Sequence, residues 1–399
     1  MAAQRGTERH LIERAPAERV PERRLMQRAI ALAERGGGKT GPNPMVGCVV
    51  AKHGKVIAEG WHKCCGAEHA EAMALRLAGK KARGAEMYVT LEPCSHWGRT
   101  PPCTRAIMRA GIKKVFIAMR DPNQGVSGEG IRALRSAGIK VHVGLCKKEA
   151  ETLNNFYITR MRRGRPFVIM KVAMTADGKI TWGNGKRKKI SGKEVDELVH
   201  RMRARVDAVI VGVNTVIKDN PLLTARLGKN KNTKNARGSG LQEGGIKNPL
   251  RVVLDCSLRI PANARVLKCG GGLKTAVVAA AGARRNARKA REIQKRGAAV
   301  MVVKRGGGGV DLHSLLHELG SAGINSVMLE GGKKLNTSFL RAGLADEAVF
   351  IVSPRRIGKG LDWAERRVAK GVLLDCAEAA VLGKDVVISG VPSLKSPHL

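Results

Sequence analysis

Aromatic side chains are scarce: 3% of 399 residues, with two tyrosines and five phenylalanines. The cores must therefore be built from Val, Ile, Leu, Ala and Met, for which a hydrophobic share of 43% is sufficient. The same scarcity leaves little to stack on nucleic-acid bases. Acidic side chains are also few. Against 73 Lys and Arg stand 33 Asp and Glu, a net charge of +40. Such a charge would suit a nucleic acid, but it is spread along the chain. A solvated basic surface that also attracts phosphate-bearing small molecules is the better reading, and no nucleic-acid partner is expected. No apolar run is long enough to cross a membrane, so no membrane partner is expected either. The nine cysteines are scattered, not paired at framework spacings. That suggests a reducing, cytoplasmic setting with metal-binding or buried thiols. Residues 1–24 are Arg-rich but hold Glu8, Glu13, Glu18 and Glu22 and lack an apolar centre. They read as a disordered basic extension, neither a secretory signal nor a transit peptide.

What is present converges on two short stretches. His69-Ala70-Glu71 opens a helical pattern continued by Met73, Ala74 and Leu77. Pro93-Cys94 follows an apolar, strand-like run at 87–91, and Cys103 comes near the start of another helical pattern. One His and two Cys make three ligands for a zinc ion that keeps its fourth position for water. Glu71, two residues past the ligand His, can reach that water without binding the metal. This is the arrangement of the zinc deaminases, in which zinc lowers the water pKa and a Glu moves the protons. Each part is weak alone, since His and Glu open many helices and a free Cys usually lies in a core. The constellation is specific. The long Cys94–Cys103 spacing departs from the commoner Pro-Cys-x-x-Cys. Cys64 and Cys65 are rival ligands in a turn-like stretch. A structural zinc would want a fourth protein ligand, which Cys64, Cys65 or His96 could offer.

Periodicity gives a helix at 25–35, strands at 46–51 and 56–59, the first metal helix, a strand at 87–91 and the second metal helix from about 102 to 110. A strand at 114–119, a helix at 131–137 and a strand at 141–143 follow, which together suggest a mixed sheet. A helix over 150–163 carries the chain to a boundary at Arg162-Arg163-Gly164-Arg165-Pro166. Beyond it, strands are expected at 167–172, 208–211, 250–254, 275–278, 300–303, 326–329 and 348–352, with helices at 193–203, 284–295, 312–319 and 335–342. Residues 228–248, rich in Gly, Asn and Lys, read as a surface loop.

The motifs in this order resemble the bifunctional deaminase/reductase family of riboflavin biosynthesis. The first half of the resemblance rests on Gly41-Pro42-Asn43-Pro44-Met45-Val46-Gly47-Cys48, Gly60-Trp61-His62, His69-Ala70-Glu71 and Thr90-Leu91-Glu92-Pro93-Cys94 through Gly98-Arg99-Thr100-Pro101-Pro102-Cys103. The second rests on Thr175-Ala176-Asp177-Gly178-Lys179-Ile180, Gly212-Val213-Asn214-Thr215-Val216, Asp219-Asn220-Pro221-Leu222-Leu223-Thr224 and Leu329-Glu330-Gly331-Gly332. The resemblance implies an α/β protein in two parts. A cytidine-deaminase-like three-layer α/β/α domain over 25–163 would be a zinc-dependent pyrimidine deaminase. A dihydrofolate-reductase-like α/β domain over 164–399 would be an NADPH-dependent reductase. The implied reactions are loss of the 2-amino group from 2,5-diamino-6-(5-phosphoribosylamino)pyrimidin-4-one, then reduction of ribosyl to ribityl. The product would be 5-amino-6-(5-phosphoribitylamino)uracil. A small phosphoribosyl pyrimidine is the expected partner, and a homo-oligomer is expected.

By the same resemblance, Zn2+ sits on His69, Cys94 and Cys103 with Glu71 as the catalytic acid/base. Asn43 and His62 hold the pyrimidine, and Arg99, Asp121 and Asn123 hold the phosphoribosyl part. Arg99 has its own rationale, because a guanidinium matches phosphate bidentately, although it could be one more surface Arg. In the second half, Lys171 and Glu330 lie at the substrate and assist ring opening or proton transfer, while Arg187, Arg203, Leu223 and Arg226 line the phosphosugar. Ala173, Lys189, Thr215, Asp219, Cys256, Gly332, Lys333, Lys334, Leu335, Asn336, Thr337 and Ser338 face NADPH. Gly331-Gly332 before a helix suits a pyrophosphate, or is a plain turn. Lys171 within an apolar strand needs a partner or a task.

One segment breaks the family pattern. Where relatives carry a Ser at the substrate and a Trp at the cofactor, this chain has Arg187 and Lys189. Lys cannot offer the flat apolar contact of Trp. Two alternatives therefore stay open: a deaminase with an impaired reductase, and a nucleic-acid base deaminase that shares the zinc chemistry.

Overall fold

The computed structural model describes residues 20–98, 101–183, 189–227, 247–270, 272–282, 287–307 and 309–395. The chain divides into two compact units. One comprises the chain up to Gly36 together with Met45–Leu153, the other Gly37–Pro44 together with Asn154–Leu399. The division thus falls ten residues before the boundary read from the Arg-rich segment. Residues 1–19 of the basic extension and 228–246 of the expected loop lie outside the described residues.

The first unit has helices α1 (Val20–Glu34), α2 (Ala70–Ala78), α3 (Cys103–Arg109), α4 (Glu129–Ser136) and α5 (Lys147–Leu153). Its strands are β1 (Gly47–Lys52), β2 (Lys55–Trp61), β3 (Glu86–Leu91), β4 (Lys114–Met119) and β5 (Lys140–Val143). They form one sheet in the order β2-β1-β3-β4-β5. β1 runs antiparallel to β2 and β3, whereas β3, β4 and β5 are parallel. Strand alternation sends Cys48, Val50, Met87, Val89, Val115 and Ile117 into the core under α2, α3 and α4. α1 and α5 touch each other and pack on β1, β3 and β4, which makes three layers.

The second unit carries α6 (Asn155–Arg163), β6 (Phe167–Thr175), α7 (Lys193–Arg205), β7 (Ala208–Gly212), α8 (Val213–Asp219), β8 (Leu250–Leu254), β9 (Thr275–Ala280), α9 (Ala287–Lys295) and β10 (Ala299–Val303). There follow the two-residue strands β11 (Arg305–Gly306) and β12 (Gly309–Val310), then α10 (Leu312–Ser321), β13 (Ser326–Leu329), α11 (Lys333–Arg341), β14 (Glu347–Ser353), α12 (Arg366–Gly371), β15 (Val372–Leu382) and β16 (Asp385–Leu394). Nine strands form one sheet, β10-β9-β8-β7-β13-β6-β14-β16-β15. The run from β10 to β14 is parallel, and β16 and β15 close it as an antiparallel pair. Both faces are covered: Ala208 and Ile210 join one core, Val209 and Val211 the other.

Two expectations needed correction. The single helix over 150–163 is two, because buried Asn154 (φ −106, ψ 19) leaves the helical region. Asn competes for its own backbone and is a natural break. The long β15–β16 hairpin was not foreseen. β15 holds three Ala, three Leu and one Glu, which read as helix formers, and most of it is exposed, so no alternation marks it. Pairing with β16 decides its conformation.

Candidate functional site

In the first unit the metal group is built at two helix starts. His69 is the N-cap of α2, and Cys103 is the first residue of α3. A Cβ at Gly60 would lie 2.2 Å from the Ala70 carbonyl oxygen, so only glycine lets the start of α2 settle on β2. His69 Nδ1 is 3.2 Å from Cys103 Sγ and 3.6 Å from Cys94 Sγ. The three ligand atoms lie within 4.8 Å of one another. A tetrahedral zinc with ordinary bond lengths separates N and S donors by about 3.6 Å, so the set fits that ion. Among the described residues no fourth ligand joins the group, and Cys64 and His96 are exposed outside it. The Cys103 amide donates to Cys94 Sγ at 3.4 Å, and the Thr104 amide to the Cys94 carbonyl at 3.2 Å. The start of α3 thereby fixes the Cys94 turn.

The electrostatics of this group favour one thiolate. The hydrogen bond from Cys103, then His69, holds the Cys94 thiol down to about 4. Cys103 is pushed up by that same bond and by burial. Glu71 is buried, and its carboxyl is pushed up to about 7, first by burial and then by the Cys94 charge. His62 is buried beside the group, its ring edge-on to His69 at 5.6 Å between centroids. Burial pushes its imidazole down, so Nδ1–H donates to the Glu68 carbonyl at 3.2 Å and Nε2 is the acceptor.

In the second unit a carboxylate gathers two cations. Glu330 follows β13, Lys171 projects from β6 and Arg203 lies near the end of α7. Arg203 Nε and Nη2 donate to Glu330 at 2.6 and 2.8 Å, a bidentate pair, and Lys171 Nζ stands 3.4 Å away. Burial pushes the Glu330 carboxyl up, but the charges of Lys171 and Arg203 overcome it and bring it down to about 2. Arg203 Nη1 also donates to the Thr224 carbonyl at 3.3 Å. Neighbouring Leu223 is buried at φ 56, a backbone that side chains rarely adopt. Arg226 Nη1 donates to Thr224 Oγ1 at 3.2 Å, and its Nη2 lies 3.3 Å from His200 Nε2. Burial, then Arg203 and Arg226, push the His200 imidazole down, which suits acceptance from Arg226.

A model of the RibD C-terminal domain matches residues 166–388, and one of the cytidine and deoxycytidylate deaminase zinc-binding region matches residues 20–119. The riboflavin biosynthesis protein RibD of Aquifex aeolicus is 40% identical over 370 residues, covering 92% of this chain and 97% of that protein. This chain belongs to the RibD family. The Escherichia coli RibD is 37% identical over 84% of this chain and 88% of its own. The solved structure of Acinetobacter baumannii RibD matches with a TM-score of 0.82 at 34% identity, covering 94% of this chain and 99% of that one. A diaminohydroxyphosphoribosylaminopyrimidine deaminase/5-amino-6-(5-phosphoribosylamino)uracil reductase from Thermotoga maritima matches at 0.75 and 36%, over 93% and 99%. The two units are accordingly a zinc-deaminase-like domain and a dihydrofolate-reductase-like domain.

The remaining residues expected from the RibD resemblance fall as follows. Arg99 and Arg187 lie outside the described residues. Asn43 belongs to the Gly37–Pro44 segment that groups with the second unit, where the Pro42 carbonyl accepts from Asn325 Nδ2 at 3.0 Å and Arg160 Nη2 at 3.2 Å. Asp121 Oδ1 accepts from the Asn123 amide at 2.9 Å in the loop after β4. Ala173, Thr215, Cys256 and Leu335 are half-buried, and Asp219, Lys334 and Ser338 are exposed. Lys333 stands 3.7 Å from Asp362, and Lys189 pairs with Asp196. Asn336 and Thr337 are corrected: both are buried on the inner face of α11. Asn336 Nδ2 donates to the Trp363 carbonyl at 2.9 Å, and Thr337 Oγ1 accepts from the Glu365 amide at 2.9 Å. Facing the core, they have almost no surface for a cofactor and serve by holding 363–365. The adjacent strands β7 and β13 end side by side at the starts of α8 and α11. There Gly212 and Gly332 are N-caps without side-chain caps, and a Cβ on either would meet open space. That arrangement fits a pyrophosphate. Sequence reasoning gave no role to His200, which carries no motif, or to Glu92, whose charge just past an apolar strand was the available signal, and both sit in hydrogen-bond networks beside these groups.

Proposed function

We infer that this chain is a bifunctional enzyme of riboflavin biosynthesis. It removes the 2-amino group of 2,5-diamino-6-(5-phosphoribosylamino)pyrimidin-4-one and then reduces ribosyl to ribityl with NADPH, giving 5-amino-6-(5-phosphoribitylamino)uracil. The observation that carries this reading is the co-occurrence, in one chain, of the His69–Cys94–Cys103 group beside Glu71 and the Lys171–Glu330–Arg203 cluster. A nucleic-acid base deaminase would leave the second unit without a task.

His69, Cys94 and Cys103 would hold the zinc ion, which would supply the Lewis acidity that makes water nucleophilic near neutral pH. Glu71 takes one proton from the attacking water and delivers it to the ring nitrogen, then moves the second, from the hydroxyl so added, to the amine that leaves as ammonia while the carbonyl forms. His62 presents Nε2 to the pyrimidine, and Asp121 and Asn123 hold the phosphoribosyl part. In the second unit NADPH would supply the hydride, and the protein's own part is to position and protonate. Glu330, held ionised, is a poor base at neutral pH, and Arg203 does not give up its proton. Lys171 is the member of the cluster able to transfer one, with Glu330 fixing its place. Arg203 and Arg226 receive the phosphosugar.

The assay that tests this measures ammonia and the ribityl product with and without NADPH. Ammonia in both conditions and ribityl product only with NADPH is expected; no ammonia in either refutes the reading. Among the described residues no helix is long and apolar enough to cross a membrane. The exposed edge strand β15, with Leu373 and Val381 open to solvent, is a template for pairing with a second copy. Val381→Lys should lower the oligomeric state in sedimentation, and an unchanged state would remove the argument.

A further inference from the structure

We propose that Glu92 is a positioning residue for deamination, tying the turn that carries Cys94 to the loop that carries Asp121 and Asn123. The proposal rests on the deaminase reading above. Glu92 directly follows β3, and its amide donates to the Met119 carbonyl at 3.0 Å. Its side chain is buried at 5% exposure and accepts from three backbone amides. Oε2 takes Asp121 at 3.2 Å and Gly128 at 3.0 Å, and Oε1 takes Ile131 at 3.2 Å. Gly128 is the N-cap of α4 and offers no side chain of its own, while Ile131 is the third helical residue. Glu92 therefore caps α4 from a distant strand, satisfying amides that a local Ser or Asp would otherwise serve and placing negative charge at the positive end of the helix. The same carboxylate fixes the backbone of Asp121, where the substrate loop begins. The loop is otherwise braced by its own short bonds, Asn123 amide to Asp121 Oδ1 at 2.9 Å and Gly125 amide to Asn123 Oδ1 at 3.2 Å. α4 also bears on the metal turn directly: a Cβ on Gly130 would lie 2.0 Å from the Pro93 carbonyl oxygen. The ligand turn, the cap of α4 and the substrate loop thus share one buried carboxylate. The metal ligands themselves are held by α2 and α3, so loosening Glu92 should disturb the substrate and spare the metal.

Glu92→Gln is the test, because an amide has one acceptor oxygen and turns N–H toward donors where the carboxylate accepted. The deaminase KM should rise by about tenfold or more, the scale of a misplaced substrate contact, with zinc content and kcat within about twofold of the unmutated enzyme. The reductase, given deaminated substrate, should be unchanged. An unchanged KM overturns the proposal, and so does a loss of zinc or of kcat at constant KM, which would place the role of Glu92 at the metal turn. Amide exchange in the unmutated chain tests it without a variant. Asp121, Gly128 and Ile131 should be protected together, and rapid exchange at Asp121 and Gly128 overturns it. An unmutated chain that releases no ammonia overturns the deaminase reading itself, a failure separable from these.

Discussion

Glu71 and Glu330 are both buried carboxylates at the centre of a site, and their surroundings push them in opposite directions. Glu71 has thiols and an imidazole near it, and burial leaves its carboxyl at about 7. Glu330 has a bidentate arginine and a lysine, and the two charges more than cancel its burial. One group is left able to take and return a proton; the other is locked as an anion. A zinc ion held beside Glu71 would pull its value of about 7 down. The contrast remains: among the described residues the groups that shift Glu71 include no Lys or Arg, whereas Lys171 and Arg203 both hold Glu330 down. Burial alone therefore says little about what a carboxylate does. The partner set decides it.

The largest test of this contrast is Glu71→Gln. It should keep the zinc and lower ammonia release by roughly 10²–10⁴-fold or more, because an amide cannot shuttle the proton. NADPH oxidation on deaminated substrate should be untouched. Ammonia release near the unmutated rate would break the comparison at its first member.

Glu330→Gln should act chiefly on stability. It leaves Lys171 and Arg203 buried with their counter-charge gone, a loss on the order of 3–5 kcal/mol. The melting transition of the second unit should fall accordingly, and reductase activity with it. A variant as stable as the parent would mean that the cluster is more solvated than its geometry indicates.

Acid titration measures the same cluster without mutation. A carboxylate whose folded pKa lies below its unfolded value contributes stability above the unfolded value and loses it as pH falls through the folded one. For Glu330 that window runs from about 4.5 down to about 2. The shift corresponds to roughly 3 kcal/mol, lost as the carboxylate is protonated. Urea unfolding followed across this window should show the loss in the parent and a shallower slope in Glu330→Gln. Parallel slopes would show that other acids dominate.

The two sites also differed in how far they could be read from the chain. His69, Glu71, Cys94 and Cys103 announce themselves, because metal chemistry fixes residue types at short spacings. Lys171, Arg203 and Glu330 come from three distant elements, and of these only Lys171, charged within an apolar strand, hinted at a role. The others entered through family resemblance. Strands such as Lys114–Met119 and Ser326–Leu329 were legible because buried parallel strands are plain apolar runs. β15 was not, since its conformation depends on pairing that local propensity opposes. Asn336 shows the limit of transferring residues by motif: the turn of α11 points it into the core.

The smallest expected effect concerns the two ion pairs of α7. Near its end Arg203 meets Glu330 with both side chains almost wholly enclosed; near its start Asp196 meets Lys189 with both about half exposed. An exposed pair contributes about 0–1 kcal/mol, so replacing Lys189 should cost little stability, unlike any change at Arg203. Lys189→Trp then asks what the position offers NADPH. A Trp that meets the cofactor would bury flat apolar surface worth on the order of 1–2 kcal/mol at about 25 cal/mol per Å². The lysine gives up only a solvated charge already shared with Asp196. The expected result is a several-fold lower NADPH dissociation constant with an unchanged melting temperature. If binding weakens instead, Lys189 reaches a cofactor phosphate in the complex and its contact with Asp196 is a resting position. If binding does not change, the side chain at 189 stays clear of the cofactor, and the departure from the family pattern carries no cost to the reductase.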